Sequence, residues 1–103
     1  MLIVNIDYIP GKEFEVVGVV KGNIVQTKHT GRDIMAGLKS LVGGELVGYT
    51  EMLFEAREIA TTRMIDEARA LNADAIVNLR YASAGIVQGS AEIIAYGTAV
   101  KFK

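Results

Sequence analysis

Between residues 50 and 71 the apolar positions recur at helical spacing. Leu53, Ala56, Ala60, Met64, Ala68 and Leu71 form one stripe, widened by Met52, Ile59 and Ile65, with charged residues filling the other side. The pattern predicts a helix from Thr50 to Leu71, about 30 Å long at ~1.5 Å per residue. Thr50 is the expected N-cap, and Glu51 suits the positive end of the helix dipole. Arg63 and Glu67 make an i,i+4 pair of opposite sign. Asn72 follows the last apolar residue and tolerates the left-handed conformation of a C-cap.

A shorter helical pattern precedes it. Thr30 or Asp33 can cap a helix whose apolar face is Ile34, Met35, Leu38, Leu41 and Val42. Gly37 inside it implies a close-packed neighbour, and Gly43-Gly44 ends it. The connecting stretch LVGGELVGYTE (41–51) holds glycines but neither of the phosphate-cradling patterns GxGxxG and GxxxxGK[ST]. It therefore reads as a bend between two helices.

The rest of the chain alternates at the period of strands. Met1–Ile9 reads as an extended arm or short strand, closed by a Pro10-Gly11 turn. Phe14–Val20 and Ile24–Lys28 flank Gly22-Asn23, which predicts a tight hairpin. Gly18 signals a bulge or a close backbone approach. Ala75–Ala82 and Ser90–Phe102 are two further strands, with the loop AGIVQG (84–89) between them. On the last strand Ala91, Ile93, Ala95, Gly97 and Ala99 share one face. Glu92, Ile94, Tyr96, Thr98, Val100 and Phe102 share the other. Neither face is fully polar, so both are expected to be covered, one by a helix and the other by a neighbouring subunit.

Composition sharpens that expectation. The 103 residues are 50% hydrophobic with mean hydropathy +0.29, more than a single small domain can bury inside itself. No apolar run reaches the length of a membrane span. The surplus points to subunit contacts. The net charge of −1 comes without any Lys/Arg cluster, which argues against nucleic acid. The absence of cysteine removes disulfides and thiolate metal sites. The N-terminus MLIVNIDYIPGKEF has no basic region and does not read as a signal peptide, so a cytoplasmic protein is expected.

Candidate chemistry is sparse. The one histidine, His29, has no HxH or HxxxH partner, and Ser40, Ser83 and Ser90 lie outside nucleophile-elbow contexts. Glu51, Glu55 and Glu58 stand at i, i+4 and i+7, a row of carboxylates that suits a hard cation or an ordinary solvated face. Metal-ion candidates are thus His29 and Glu51, Glu55 and Glu58. Tyr49 and Arg57 are the candidate small-ligand contacts. No catalytic residue is assigned, although Tyr49, Arg57 and Glu58 at a subunit interface are the set an enzyme would use.

Several segments together resemble the YbjQ family, also known as UPF0145 and labelled for heavy-metal binding. They are Arg32-Asp33, Ala36-Gly37, Val42-Gly43-Gly44, Tyr49, the run Ala56–Ala60, ARALNADA (68–75) and Gly97–Val100. Their order and spacing span nearly the whole chain as one domain, 1–103. Asn72 stands where the family's usual pattern has glycine. The resemblance implies a small α+β subunit, dodecin-like, with antiparallel strands and two helices, assembled as a ring-shaped homopentamer. It implies no established catalysis. Soft metals prefer thiolate and thioether ligands, and this chain offers only four methionines and one histidine. The expectation is an oligomeric small-ligand-binding or structural module, with a metal-binding protein as the alternative and an interface enzyme third.

Overall fold

The computed structural model of the chain describes residues 1–27 and 47–103. The predicted first helix, His29 and the Gly43-Gly44 bend lie outside the described residues. The elements are β1 (Leu2–Ile3), β2 (Phe14–Thr27), α1 (Val47–Ala70), β3 (Ala75–Gly85) and β4 (Ser90–Phe102). They build an α+β fold in which α1 packs on a four-stranded sheet of order β1-β3-β4-β2. The sheet is mixed, not purely antiparallel: β1 runs parallel to β3, while β3–β4 and β4–β2 are antiparallel.

The expected hairpin at Gly22-Asn23 does not form. β2 runs unbroken from Phe14 to Thr27 and pairs along its length with β4, from Phe14↔Phe102 to Thr27↔Ser90. Gly22 is there for a different reason. A Cβ on it would collide with the Ala60 carbonyl oxygen and the Met64 amide nitrogen. The glycine lets the helix backbone lie directly on the strand, opposite the small residues Ala56, Ala60 and Ala68 of the core. Gly18 does mark a bulge, since the register shifts between Val16 and Gly18. The Pro10-Gly11 turn also forms: Lys12 N–H donates to the Ile9 carbonyl at 3.1 Å, with Gly11 at φ 75°, the positive φ that a type II turn requires.

The long helix starts one turn earlier than its capping signal, at Val47. Thr50 lies inside it and is not the N-cap, and Glu51 stands in its second turn. A side-chain cap is worth only about 1 kcal/mol, a small preference, and the longer helix carries Tyr49 in its first turn. That tyrosine is half-buried beside the β3–β4 turn, where a Cβ on Gly89 would come within 3.9 Å of its hydroxyl. The C-terminal end follows the sequence signal. Asn72 has φ 59°, its N–H donates to the Arg69 carbonyl at 3.0 Å, and Ala73 N–H donates to the Ala68 carbonyl at 3.1 Å. That bond pair is a Schellman cap with asparagine in the left-handed position.

β3 extends beyond the predicted Ala82 to Gly85 because β4 offers it a partner as far as Gly85↔Ala91. Only 86–89 remain as the turn, closed by Ser90 N–H to the Val87 carbonyl at 2.9 Å. β4 occupies Ser90–Phe102 as predicted. One of its faces is buried under α1, with Ile93, Ala95 and Ala99 in the main core beside Val20, Met64 and Ile76. The other face has two parts. At one end Ile9, Val4 and Phe14 from the N-terminal region cover Ala75, Val77 and Val100. The chain itself thus supplies part of the cover that a neighbouring subunit was expected to give. Beyond that arm the face is open, with Val19, Val25 and Tyr96 exposed.

Candidate functional site

The side chains singled out in the sequence are carried mostly by α1. Glu51, Glu55 and Glu58 are all exposed and fall on its solvent side, as their i, i+4, i+7 spacing requires. Among the described residues no group of three His, Cys, Asp or Glu side chains is placed to hold a metal ion. Within one copy the carboxylate row forms a charged stripe along the helix, and His29 lies outside the described residues. Next to the row, Glu58, Ile59, Thr62, Arg63 and Asp66 line an open groove of about 350 Å³.

Tyr49 and Arg57 share a different flank of α1. They are eight residues apart, about 12 Å along the axis, and the same i,i+4 row continues through Leu53 to Thr61. This flank faces β3. Thr61 Oγ1 donates to the Arg57 carbonyl or to the Tyr81 hydroxyl, lying 2.7 Å from each. Tyr81 therefore tethers the helix to the strand while keeping 45% of its surface exposed. Phe54, 61% exposed, stands one turn before Arg57. Arg57 is exposed, and its guanidinium has no hydrogen bond or ion pair among the described residues. The flank thus offers a cation, two phenols and an aromatic face, groups that bind small ligands. Glu58 follows Arg57 directly and points about 100° around the helix, so Tyr49, Arg57 and Glu58 do not converge within one chain.

Sequence reasoning missed two features. The first is a clamp on the edge of the sheet. Arg63 and Glu67 do not simply face each other: Arg63 Nη1 donates to the Asn23 carbonyl at 2.7 Å, and the Lys21 N–H donates to Glu67 Oε1 at 3.3 Å. Two side chains one turn apart on α1 thereby satisfy a donor and an acceptor on the outer edge of β2. The i,i+4 spacing was visible, but their target was not, because β2 was read as broken at Gly22. The second is a double-residue irregularity in β3 between Val77 and Arg80, with Asn78 at φ 56°. Here the N-terminal region pairs with β3: Asn78 N–H donates to the Ile6 carbonyl at 2.9 Å and Leu79 N–H to the Val4 carbonyl at 3.0 Å. Arg80 Nη1 closes the contact on the Asn5 carbonyl at 2.9 Å. No local glycine or proline announces this bend.

No helix among the described residues is long and apolar enough to cross a membrane. Known proteins place the chain more closely. Its fold is similar to the crystal structure of a protein of unknown function from Pediococcus pentosaceus, of the DUF74 family. The TM-score is 0.65 at 16% identity, over 100% of this chain and 98% of that one, a likeness of fold alone. Curated relatives are much nearer in sequence. A UPF0145 protein of Clostridium novyi is 58% identical over 101 residues, covering 98% of each chain. One of Vibrio parahaemolyticus is 61% identical over 102 residues, covering 98% of this chain and 97% of its own. A family model described as "Putative heavy-metal-binding" matches residues 1–103. The whole-length match and these identities agree with the resemblance carried by ARALNADA and Gly97–Val100, and the chain belongs to the UPF0145 (YbjQ) family.

Proposed function

We propose that this chain is the subunit of a homo-oligomer, a pentamer, that acts in the cytoplasm as a small-ligand-binding or structural module without catalysis of its own. The observation that carries this reading is the set of exposed apolar side chains on the sheet face away from α1, among the described residues. Val16, Val19 and Val25 are 67%, 71% and 53% exposed, and Tyr96 is 41% exposed. Apolar surface of this kind in one region marks an interaction site. The elongated shape, 53 × 24 × 17 Å with a radius of gyration of 16.9 Å against about 13 Å for a compact chain of this size, supports the same reading. In a ring each side chain occurs once per subunit, so the Tyr49–Arg57 flank would become a repeated ligand site. Native mass spectrometry of the protein purified from its own host tests this. A pentamer, bare or with a bound small molecule, is the expected result; a monomer would refute the reading.

The family description favours metal binding as the second reading. Its ligands would be His29 or the row Glu51, Glu55 and Glu58. Since one copy groups no three such side chains among the described residues, carboxylates of several copies would have to meet. Replacing the three glutamates by alanine, and separately His29→Ala, should strip metal from the purified protein while leaving its subunit count. Unchanged metal content in both variants would end this reading.

A further inference from the structure

The two edges of the sheet are treated differently. On β2 the edge is clamped at Lys21 and Asn23 by Glu67 and Arg63. On β3 the edge is covered only as far as Arg80. β1 and the arm behind it take Ala75 to Leu79, and Arg80 reaches back to Asn5. From Tyr81 to Gly85 β3 has β4 on one side and no strand of the described residues on the other. All five of these residues are exposed.

The direction of the open groups follows from strand alternation. Lys21 N–H and the Asn23 carbonyl point away from β4, so the residues between and beside them bond inward, to Gly97, Ala95 and Ile93. The intervening β4 residues, Tyr96, Ile94 and Glu92, therefore bond to their β3 partners Arg80, Ala82 and Ala84. Tyr81, Ser83 and Gly85 are left with their N–H and carbonyl groups on the open edge. The segment YASAG has no charge and no proline, the usual devices that stop a free edge from pairing. An unguarded edge of this kind is a template for another strand.

The same chain carries the complementary half. The Phe14–Val19 part of β2 lies outside the Lys21–Asn23 clamp. It has β4 as its strand neighbour on the inner side and holds Val16 and Val19, the two most exposed large apolar residues among those described. The two open stretches lie on opposite edges of one sheet. Joining the β3 edge of one copy to the β2 edge of the next is a heterologous contact, the type that closes into rings. We infer that the Tyr81–Gly85 edge of β3 is an interface strand that receives the Phe14–Val19 stretch of β2 from a second copy of this chain. This rests on the oligomeric reading above and assigns its contact surface.

Two variants test it. Ser83→Pro removes one outward N–H, which an edge strand tolerates within its own chain. It should lower the subunit count in native mass spectrometry to one, with the far-UV circular dichroism of the wild type. Assembly at the wild-type count would overturn the assignment. A wild type that is itself monomeric would overturn the oligomeric reading together with it. The second test uses the absence of native cysteine. Ala82→Cys or Ala84→Cys is combined in one chain with Val16→Cys or Val19→Cys, all on the sheet face turned away from α1. Within a chain these positions are too far apart to bridge: Ala82 stands opposite Ile94 and Ala84 opposite Glu92, while Val19 stands opposite Thr98 and Val16 opposite Val100. Four residues along β4 already span about 14 Å, well beyond disulfide reach. Mild oxidation should give a ladder of cross-linked chains in at least one pair. No ladder in any pair, with the subunit count unchanged, would reject the edge contact while leaving the oligomer. Cross-linking through Ala84→Cys alone would point to a two-fold β3–β3 contact and reject it as well. Should Ser83→Pro lose its dichroism, the cross-linking result decides.

Discussion

Gly22 and Gly97 are set by what lies above them. At Gly22 the obstruction is helix backbone, the Ala60 carbonyl and the Met64 amide, and backbone cannot turn aside as a side chain can. At Gly97 a Cβ would meet Ile76 Cγ2 at 2.7 Å and the Val77 carbonyl oxygen at 3.0 Å. Gly22→Ala should therefore lower stability by about 2 kcal/mol or more, as overpacking does, and Gly97→Val by at least as much. Urea denaturation checks both, with Gly85→Ala as the control, since nothing lies within 4 Å of a Cβ there. A different backbone rule governs Asn72. At φ 59° asparagine is tolerated and glycine is easier. Asn72→Gly should be neutral or slightly stabilising, whereas Asn72→Ala should cost about 1 kcal/mol; the same denaturation series separates the two.

At the scale of elements, α1 does three things with its different sides. The stripe Ala56, Ala60, Met64 and Ala68 is the core. The row through Tyr49, Arg57 and Thr61 faces β3 and is joined to it by the Thr61–Tyr81 contact of 2.7 Å. The third side reaches over β2 with Arg63 and Glu67. Exposed hydrogen bonds are individually weak, so Arg63→Ala or Glu67→Ala should cost only about 0.5 kcal/mol each. The larger effect should be on solubility, because the change bares a donor and an acceptor on a long edge strand. Light scattering of the double variant at increasing concentration should show association beyond the particle size of the wild type; identical scattering would mean the clamp has no protective role. The glutamate row on the solvent side makes no comparable contact with the described residues, and its alanine variants should leave folding stability within about 0.5 kcal/mol, as thermal denaturation would report.

The described part of the molecule is a thin layer: one helix on strands of 13 and 14 residues. Among the described residues, the helix and a short N-terminal arm leave part of these long strands exposed. That is the structural form of the hydrophobic surplus in the composition, and it is why the subunit count is the most informative single measurement. Native mass spectrometry should find more than one chain per particle. A single-chain mass would require another explanation for Val16, Val19, Val25 and Tyr96 facing outward.

The sequence by itself determined the elements whose signals are local. The helical stripe to Leu71, the asparagine cap, the Pro10-Gly11 turn, the Gly18 bulge and the limits of β4 all rest on periodicity or on the φ preferences of single residues, which neighbours in the chain suffice to set. The residues that identify the family were legible for the same reason. What tertiary structure decided were the points where local chemistry admits two outcomes. Gly22-Asn23 suits a hairpin as well as a helix–strand contact, and only the approach of Ala60 and Met64 selects the second. Thr50 can cap a helix, but α1 starts at Val47 and sets Tyr49 beside the β3–β4 turn. Arg63 and Glu67 look like an i,i+4 pair until β2 passes beneath them. The parallel β1–β3 pairing, the turn of β3 at Asn78 and the tether from Thr61 to Tyr81 join residues 20 to more than 70 positions apart. Contacts of that range depend on how the layers meet, which no short stretch of the chain encodes.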